Sequence, residues 1–201
     1  MIARITIFIT GASIMILEIL GVRMIASQLG TTIIVWSTMI GTIITSLAIG
    51  YYIGGILADR ILSNLVRACI VFLAGVTIAL IVPMRSVVFA MGISLPYGLR
   101  TLIVSTVLFA LPTILLAMVS IYTLRMETKK ISEIGSTNGT IYAISTIGSL
   151  VGVFLTSFYL IPTFSLSSIL FIISSVLLLI GVVLGILYAL SCKKTTLWGF
   201  Q

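Results

Sequence analysis

The sequence predicts an all-α, polytopic integral membrane protein with six transmembrane helices. Of its 201 residues, 60% are hydrophobic and only 7% are charged, and the mean hydropathy is +1.37. A soluble domain carries about a quarter charged residues, whereas a transmembrane helix needs about 20 mostly apolar residues. Six such runs follow one another, so residues 1–201 are predicted to form a single transmembrane domain.

We predict the six helices at 5–27, 33–58, 65–82, 101–124, 139–161 and 166–190. Pro83, Pro96 and Pro162 are expected in connections, because proline has no N–H to donate within a helix. Pro112 lies inside the fourth run and should kink that helix. The run 86–95 is too short to cross a bilayer, so it is expected to be an interfacial or re-entrant part of the third connection.

The eleven Lys and Arg residues are placed one or two at a time between the apolar runs. With the amino terminus in the cytoplasm, eight of them lie in inner segments and three in outer segments, as the positive-inside rule favours. We therefore predict a multi-pass protein of the cell (plasma) membrane with both termini cytoplasmic. The first run contains Glu18 and is too long for a cleaved signal peptide. The bases form no continuous basic face, so the expected partner is the lipid bilayer and not nucleic acid.

The composition predicts neither a metal site nor a cofactor. The sequence has no histidine, four acidic residues and two cysteines, Cys69 and Cys192, which we expect to be free thiols. No nucleophile–base pair can be assembled from these residues. This chain alone is therefore not expected to be an enzyme.

Two charges stand inside the first apolar run, in the stretch "MILEILGVRMI" from Met15 to Ile25. Five residues rotate an ideal helix by about 500°, so Glu18 and Arg23 point about 140° apart and cannot pair. Arg23 is expected to reach the outer headgroups as an interface anchor. A charged side chain in the bilayer centre costs about 2.5–3.5 kcal/mol on insertion scales, so Glu18 needs other compensation.

The compensation for Glu18 is left open by the sequence. It can come from a base on another helix, from hydroxyls such as those of Ser145 and Thr146, from a water-filled cavity, or from a proton on the carboxylate. Glu18 is then either a packing residue or a binding site for a cation, a proton or an amine. Tyr142, Ser145 and Thr146 on the fifth run are the companion substrate- or ion-binding candidates; alternatively, they make ordinary interhelical hydrogen bonds.

Small residues recur at intervals of four on three of the runs, which places each set on one face of its helix. We interpret these sets as helix-packing seams, and the alternative is a sliding seam of a transporter. They are Ser46, Gly50 and Gly54, then Gly148 and Gly152, then Gly181 and Gly185.

A short internal similarity links the second and fifth runs. "GTIITSLAIG" (41–50) and "GTIYAISTIG" (139–148) share their first three residues and their last glycine. These are the helices that a three-plus-three repeat would pair, and such repeats occur in transporters.

The second run ends in "GYYIGGILADR", where Gly55, Asp59 and Arg60 resemble the start of the cytoplasmic loop motif of major facilitator transporters. The glycine that this motif has two residues after its arginine is Leu62 here. The resemblance implies that the six helices correspond to one half of a major facilitator fold.

A more extensive resemblance covers nearly the whole chain. The stretches "GVRMIASQLGTTIIVWSTMIG" (21–41), "LAIGYYIGGILADR" (47–60), "LPTILLAMVSIYTLRM" (111–126) and "NGTIYAISTIGSLVGVFLTSFYLIP" (138–162) are similar, in order, to the membrane region of spermidine-synthase-like (fused major-facilitator/spermidine synthase) proteins. In that family an aminopropyltransferase-type domain usually accompanies the membrane region. The 201 residues contain no Gly-rich nucleotide loop after a strand, so any such enzyme is expected on a separate chain.

Glu18 and the resemblance together imply a transporter-like domain that handles a small, cationic, polyamine-type solute near Glu18 and works with a separate aminopropyltransferase-like enzyme. The alternative is a non-catalytic subunit that anchors a soluble enzyme or packs within a larger membrane complex.

Overall fold

The computed structural model describes residues 2–91, 95–128 and 134–197, and it describes side chains up to residue 190 except at residue 134. The structure is 94% helical and has no strand among the described residues. Six of its helices are long and apolar enough to cross a membrane. The predicted all-α, polytopic membrane architecture is confirmed.

The six membrane helices are numbered α1 to α6 in chain order, and two of them include a π-helical turn. Their bounds are Ile2–Leu29 (α1), Ile33–Arg60 (α2), Asn64–Met91 (α3), Tyr97–Glu127 (α4, π turn Thr106–Ala110), 134–163 (α5, π turn Thr156–Leu160) and Leu166–Leu197 (α6).

The connection between α1 and α2 is a tight turn whose residues suit their backbone positions. Gly30 has a φ of 87°, a left-handed conformation that costs glycine little, and its N–H donates to the carbonyl of Ala26. Thr32 is the N-cap of α2 and accepts a hydrogen bond from the Val35 N–H at 3.4 Å. The turn thus ends α1 and starts α2 within three residues.

Each π turn ends two residues before a proline. Pro112 follows the π turn Thr106–Ala110 in α4, and Pro162 follows the π turn Thr156–Leu160 in α5. Proline has no N–H to donate to the carbonyl four residues before it. In the wider π turn, the N–H of the residue before the proline donates to a carbonyl five residues earlier, as the Ile161 N–H does to the Thr156 carbonyl. The π turn is the irregularity that the structure shows before Pro112, and the kink of α4 stays a prediction. Pro162 was wrongly predicted in a connection, because the π turn accommodates it within the helix.

The third helix is longer than the sequence predicted. Pro83 lies inside α3, which continues to Met91, so the prediction of a helix end at 82 and of an interfacial or re-entrant run 86–95 is wrong for 86–91. The helix continues because its apolar residues still pack beyond the proline, as the buried Val88 shows. The backbone carbonyl of Phe89 also accepts a hydrogen bond from Arg100 of α4 at 3.2 Å. Residues 92–94 lie outside the described residues.

Three helix pairs build the bundle. Gly148 and Gly152 of α5 approach Phe8 and Ala12 of α1, so these helices run parallel. Gly50 and Gly54 of α2 approach Ile114 and Met118 of α4 in the same parallel sense.

The third pair, α3 and α6, is antiparallel. Gly75 approaches Leu178 and Gly181 approaches Phe72, so the numbering rises in one helix as it falls in the other. Ser174 of α6 also donates to the carbonyl of Gly75 at 2.8 Å. All three pairs join a helix of the first half, α1–α3, to a helix of the second half, α4–α6.

The burial of the helices repeats between the two halves. In the 18-residue apolar stretch of each helix, the share that is buried inside the protein is 61% for α1 and 56% for α4. It is 33% for α2 and 22% for α5, and 44% for α3 and 39% for α6. Each half therefore contributes one central helix, one peripheral helix and one intermediate helix, in the same order. The core between the central helices holds Leu17, Leu20, Phe109 and Leu116.

Candidate functional site

Glu18 is half-buried on α1 and makes no hydrogen bond or ion pair with any residue that the structure describes. It follows Gly11 by seven residues, so it lies on nearly the same side of α1, about 10.5 Å farther along the helix. Gly11 faces Ser145 of α5. The glutamate therefore points toward the α5 side of α1.

The predicted companions of Glu18 are placed elsewhere on α5. Ser145 packs against Gly11, two helical turns from Glu18. The Thr146 hydroxyl donates to the Tyr142 carbonyl within its own helix, at 2.8 Å, and Tyr142 is 53% exposed. These three residues and Glu18 are thus not joined by hydrogen bonds. Glu18 lines neither the 330 Å³ groove between α2 and α4 nor the 260 Å³ cavity at the end of the bundle, both described below.

Glu18 shares its depth in the bundle with hydroxyl groups of α2 and α4. Gly21 contacts Met39 and Phe109. Because α1 and α2 are antiparallel, Glu18, three residues before Gly21, lies at the same depth as Thr42, three residues after Met39. The hydroxyl of Thr42 is 3.1 Å from that of Ser105, in a buried α2–α4 contact. Beside this contact lies a 330 Å³ groove that includes Thr45, Ser46 and Thr106.

The small residues of α2 and α5 stand at the closest helix contacts. A Cβ added to Gly54 would lie 2.8 Å from the Met118 Cα, and one added to Gly152 would lie 2.6 Å from the Ala12 carbonyl oxygen. Ser46 is buried on the same side of α2. On α6, Gly181 contacts Phe72 in the same way, whereas Gly185 has nothing within 4 Å of an added Cβ.

The loop-motif residues lie at the end of the bundle where α1 begins, which we call the proximal end. Asp59 pairs with Arg125 of α4, with the Nε–Oδ1 distance at 3.0 Å, and both side chains are more than half exposed. Gly55 faces the side chain of Ile121, and Arg60 is exposed. The predicted acid–base neighbours Asp59 and Arg60 therefore do not neutralise each other; α4 supplies the partner.

Tyr122 was expected as an interface anchor near a helix end, but it is buried and holds the connection beyond this motif in place. Its side chain is fully buried in α4, and its hydroxyl accepts from the Ser63 N–H at 2.7 Å and lies within hydrogen-bond distance of the Ile61 and Ser63 carbonyls. A tyrosine in the last turns of an apolar helix is the only signal in the sequence, because its partners are backbone atoms.

A cavity of 260 Å³ opens at the same proximal end, between α1, α4 and α5. It carries both signs of charge and several hydroxyls, and the sequence did not predict it. We call it the proximal cavity; its lining residues are Ala3, Arg4, Ile7, Glu127, Ser136, Thr137, Thr140 and Ile141.

The remaining predicted residues have simple positions. Arg23 is exposed on α1 toward the distal end of the bundle, and Cys69 is a free, exposed cysteine on α3. Cys192 lies beyond the residues whose side chains are described. Among the described residues, no three His, Cys, Asp or Glu side chains are grouped as they would be to hold a metal ion.

Comparison of this chain with protein-family models, with curated proteins and with solved structures gave no match.

Proposed function

We propose that this chain is a transporter-like membrane domain that handles a small, cationic, polyamine-type solute with Glu18 as the charged contact. The observation that carries the proposal is the relation between the two halves of the bundle. The similar stretches 41–50 and 139–148 align Gly50 with Gly148. In the fold, each of these glycines packs against the first helix of the opposite half, at Ile114 and at Phe8.

This reciprocal packing supports an inverted three-plus-three repeat. The α2–α4 and α5–α1 pairs are both parallel, and α3 pairs with its own counterpart α6 in the antiparallel sense. Transporters built from such repeats place their solute sites between the repeats, at mid-depth in the bilayer. Glu18 lies on one of the two central helices and is level with the buried Thr42.

A carboxylate in this position favours a cation over an anion. Asp59 and Glu127 lie at the proximal ends of α2 and α4, whereas Glu18 stands more than four helical turns inside α1. An ionisable residue at such a depth points to a pathway or binding site. We further propose that the proximal end is cytoplasmic, that the host membrane is the plasma membrane, and that a separate aminopropyltransferase-like enzyme supplies or uses the solute.

Uptake of radiolabelled spermidine into proteoliposomes tests the proposal. We expect Glu18→Gln to reduce uptake at least about tenfold, because the amide cannot replace the charge that holds the cation. Glu18→Asp, which keeps a carboxylate, is the matched control and should retain most of the uptake. Unchanged uptake by the Glu18→Gln protein would refute the role of Glu18.

A specific observation favours the accessory-subunit alternative. Glu18 has no hydrogen-bond or ion-pair partner among the described residues, and it lines neither the 330 Å³ groove nor the proximal cavity. Purification of the tagged chain in mild detergent separates the two functions. A partner protein recovered in stoichiometric amounts, together with no uptake by the purified chain, would support the accessory role.

A further inference from the structure

We propose that the proximal cavity binds a zwitterionic ligand that carries a phosphate and a primary ammonium group, such as the headgroup of phosphatidylethanolamine. This site is separate from Glu18 and does not depend on the transport proposal. Arg4 and Glu127 line the same 260 Å³ cavity, yet they form no ion pair with each other. A ligand with one charge of each sign would satisfy both side chains at once.

The helices that meet at the cavity strengthen this division of charge. Glu127 is the last residue of α4, where the helix dipole adds partial negative charge and favours a cation. Ser136 and Thr137 lie close to Ile134, where the described part of α5 begins, and the positive end of the helix dipole favours an anion there. Arg4 supplies the full positive charge for the anion. The ammonium is therefore assigned to the α4 end and the phosphate to the side of Arg4 and α5.

Among the residues that the structure describes, none forms a hydrogen bond or an ion pair with the Glu127 carboxylate. Arg67 of α3 interacts with Glu127 electrostatically, but it is buried, it does not line the cavity, and its guanidinium bonds to Asn64 at 2.9 Å. Glu127, in contrast, is exposed. A volume of 260 Å³ lies below the range of about 300–1,000 Å³ that is typical of drug-sized ligands, so a headgroup or a small free zwitterion is the size class.

The test is native mass spectrometry of the full chain in detergent, titrated with phosphatidylethanolamine and with phosphatidylglycerol of the same acyl chains. The net charge of +7 favours the anionic phosphatidylglycerol in any non-specific binding. A preference for phosphatidylethanolamine therefore reports the site. Equal binding of the two lipids, or a preference for phosphatidylglycerol, would overturn the proposal.

Variants assign the two charges. We expect Glu127→Gln to abolish the preference for phosphatidylethanolamine, and Arg4→Gln to weaken both lipids by about three- to fivefold, as expected for partly exposed charge contacts. Arg60→Gln, which removes an exposed base at the same end but outside the cavity, is the control and should bind as the parent does. A Glu127→Gln protein that keeps the preference, or an Arg4→Gln protein with parental affinity, would overturn the assignment.

Water-soluble glycerophosphoethanolamine shows whether the ligand is a membrane lipid or a free zwitterion. Displacement of bound phosphatidylethanolamine by this compound would show that a free zwitterion suffices, whereas a failure to displace it would assign the site to membrane lipid. Thr140→Val, which removes one hydroxyl of the lining without removing a charge, keeps the test informative if a charge variant fails to fold. It should lower the affinity for phosphatidylethanolamine on its own, and an affinity equal to that of the parent would overturn the placement of the ligand in the cavity.

Discussion

The hydroxyl of Tyr122 holds the short connection between α2 and α3 against the proximal end of α4. It contacts three backbone groups, the N–H and carbonyl of Ser63 and the carbonyl of Ile61, while its ring is fully buried. Removing a buried hydrogen-bonding partner costs the desolvation of the groups left behind. The connection that follows the loop motif therefore depends on one side chain 59 residues away in sequence.

We predict that Tyr122→Phe lowers the free energy of unfolding by about 1–3 kcal/mol. Unfolding in mixed micelles with increasing sodium dodecyl sulfate, followed by circular dichroism, measures this change. Tyr142→Phe is the matched control, because Tyr142 is 53% exposed and its hydroxyl makes no hydrogen bond in the described part of the chain. Its effect should stay within about 0.5 kcal/mol; equal losses in the two variants would contradict the role given to Tyr122.

Helix geometry alone decides whether Glu18 and Arg23 can pair, whereas the role of Arg23 as an interface anchor stays a prediction. Glu18 and Arg23 do not pair, as their spacing required, and Arg23 is exposed toward the distal end. The arrangement around Glu18 was not predictable, because it depends on the register between α1 and α5. That register places Ser145 beside Gly11 instead of beside Glu18. The role of Glu18 in binding stays a prediction.

At the scale of the helices, the α1–α5 contact depends on glycine where the backbones are closest. A Cβ on Gly148 would collide with the carbonyl oxygen of Phe8, which cannot move without separating the helices. Gly139, on the same helix, has nothing within 4 Å of an added Cβ. Substituting alanine at each of the two glycines therefore separates the effect of the helix contact on stability from the effect of helix propensity.

We predict that Gly148→Ala destabilises the protein by about 1–3 kcal/mol, as overpacking does. Gly139→Ala should instead be neutral or stabilising by up to about 1 kcal/mol, because alanine is the better helix former. Both are measured by the same unfolding titration. Effects of the same sign and size would show that the contact between α1 and α5 is not close.

The helices themselves were predicted well, because each has an apolar run long enough to cross a bilayer, and their starts and ends were placed within four residues for α1, α2 and α4. Two of the errors lie at prolines. Pro83 and Pro162 lie within helices, since packing beyond Pro83 and a π turn before Pro162 compensate for the missing N–H. Neither compensation is visible in the sequence around the proline.

At the scale of the whole molecule, an even number of spanning helices places both termini on the same side of the membrane. The bias of Lys and Arg toward the inner segments predicts that this side is the cytoplasm. Thr31, in the connection between α1 and α2, and Leu62, in the connection between α2 and α3, are both exposed and lie at opposite ends of the bundle.

We predict that Thr31→Cys reacts in intact cells with a membrane-impermeant maleimide and that Leu62→Cys reacts only after the cells are opened. The measurement uses a background in which Cys69 and Cys192 are replaced by alanine. Lysed cells, in which both positions should react, serve as the control. The reverse pattern of labelling would place the termini outside.

The pairing of the helices also determines how the chain can be divided. The closest contacts, α1 with α5, α2 with α4 and α3 with α6, all join the first half to the second. A half-molecule therefore lacks the helices that cover the glycine faces of its own helices. Polar groups at these contacts also lose their partners; the Ser149 hydroxyl, for example, donates to the Gly11 carbonyl of the other half at 3.1 Å. Neither half carries a complete set of contacts.

We predict that a chain divided between Met91 and Tyr97 folds only when both fragments are made together. Each fragment alone should accumulate to several-fold lower levels than the pair, because cells degrade membrane segments that fail to assemble. Co-purification through a tag on one fragment measures assembly. Gly148→Leu in the second fragment should lower the recovery of the pair, whereas Gly139→Leu should not, because only the first position lies at a contact between the halves. Stable accumulation of either fragment alone would contradict the interdependence of the halves, and with it the packing that supports the inverted repeat.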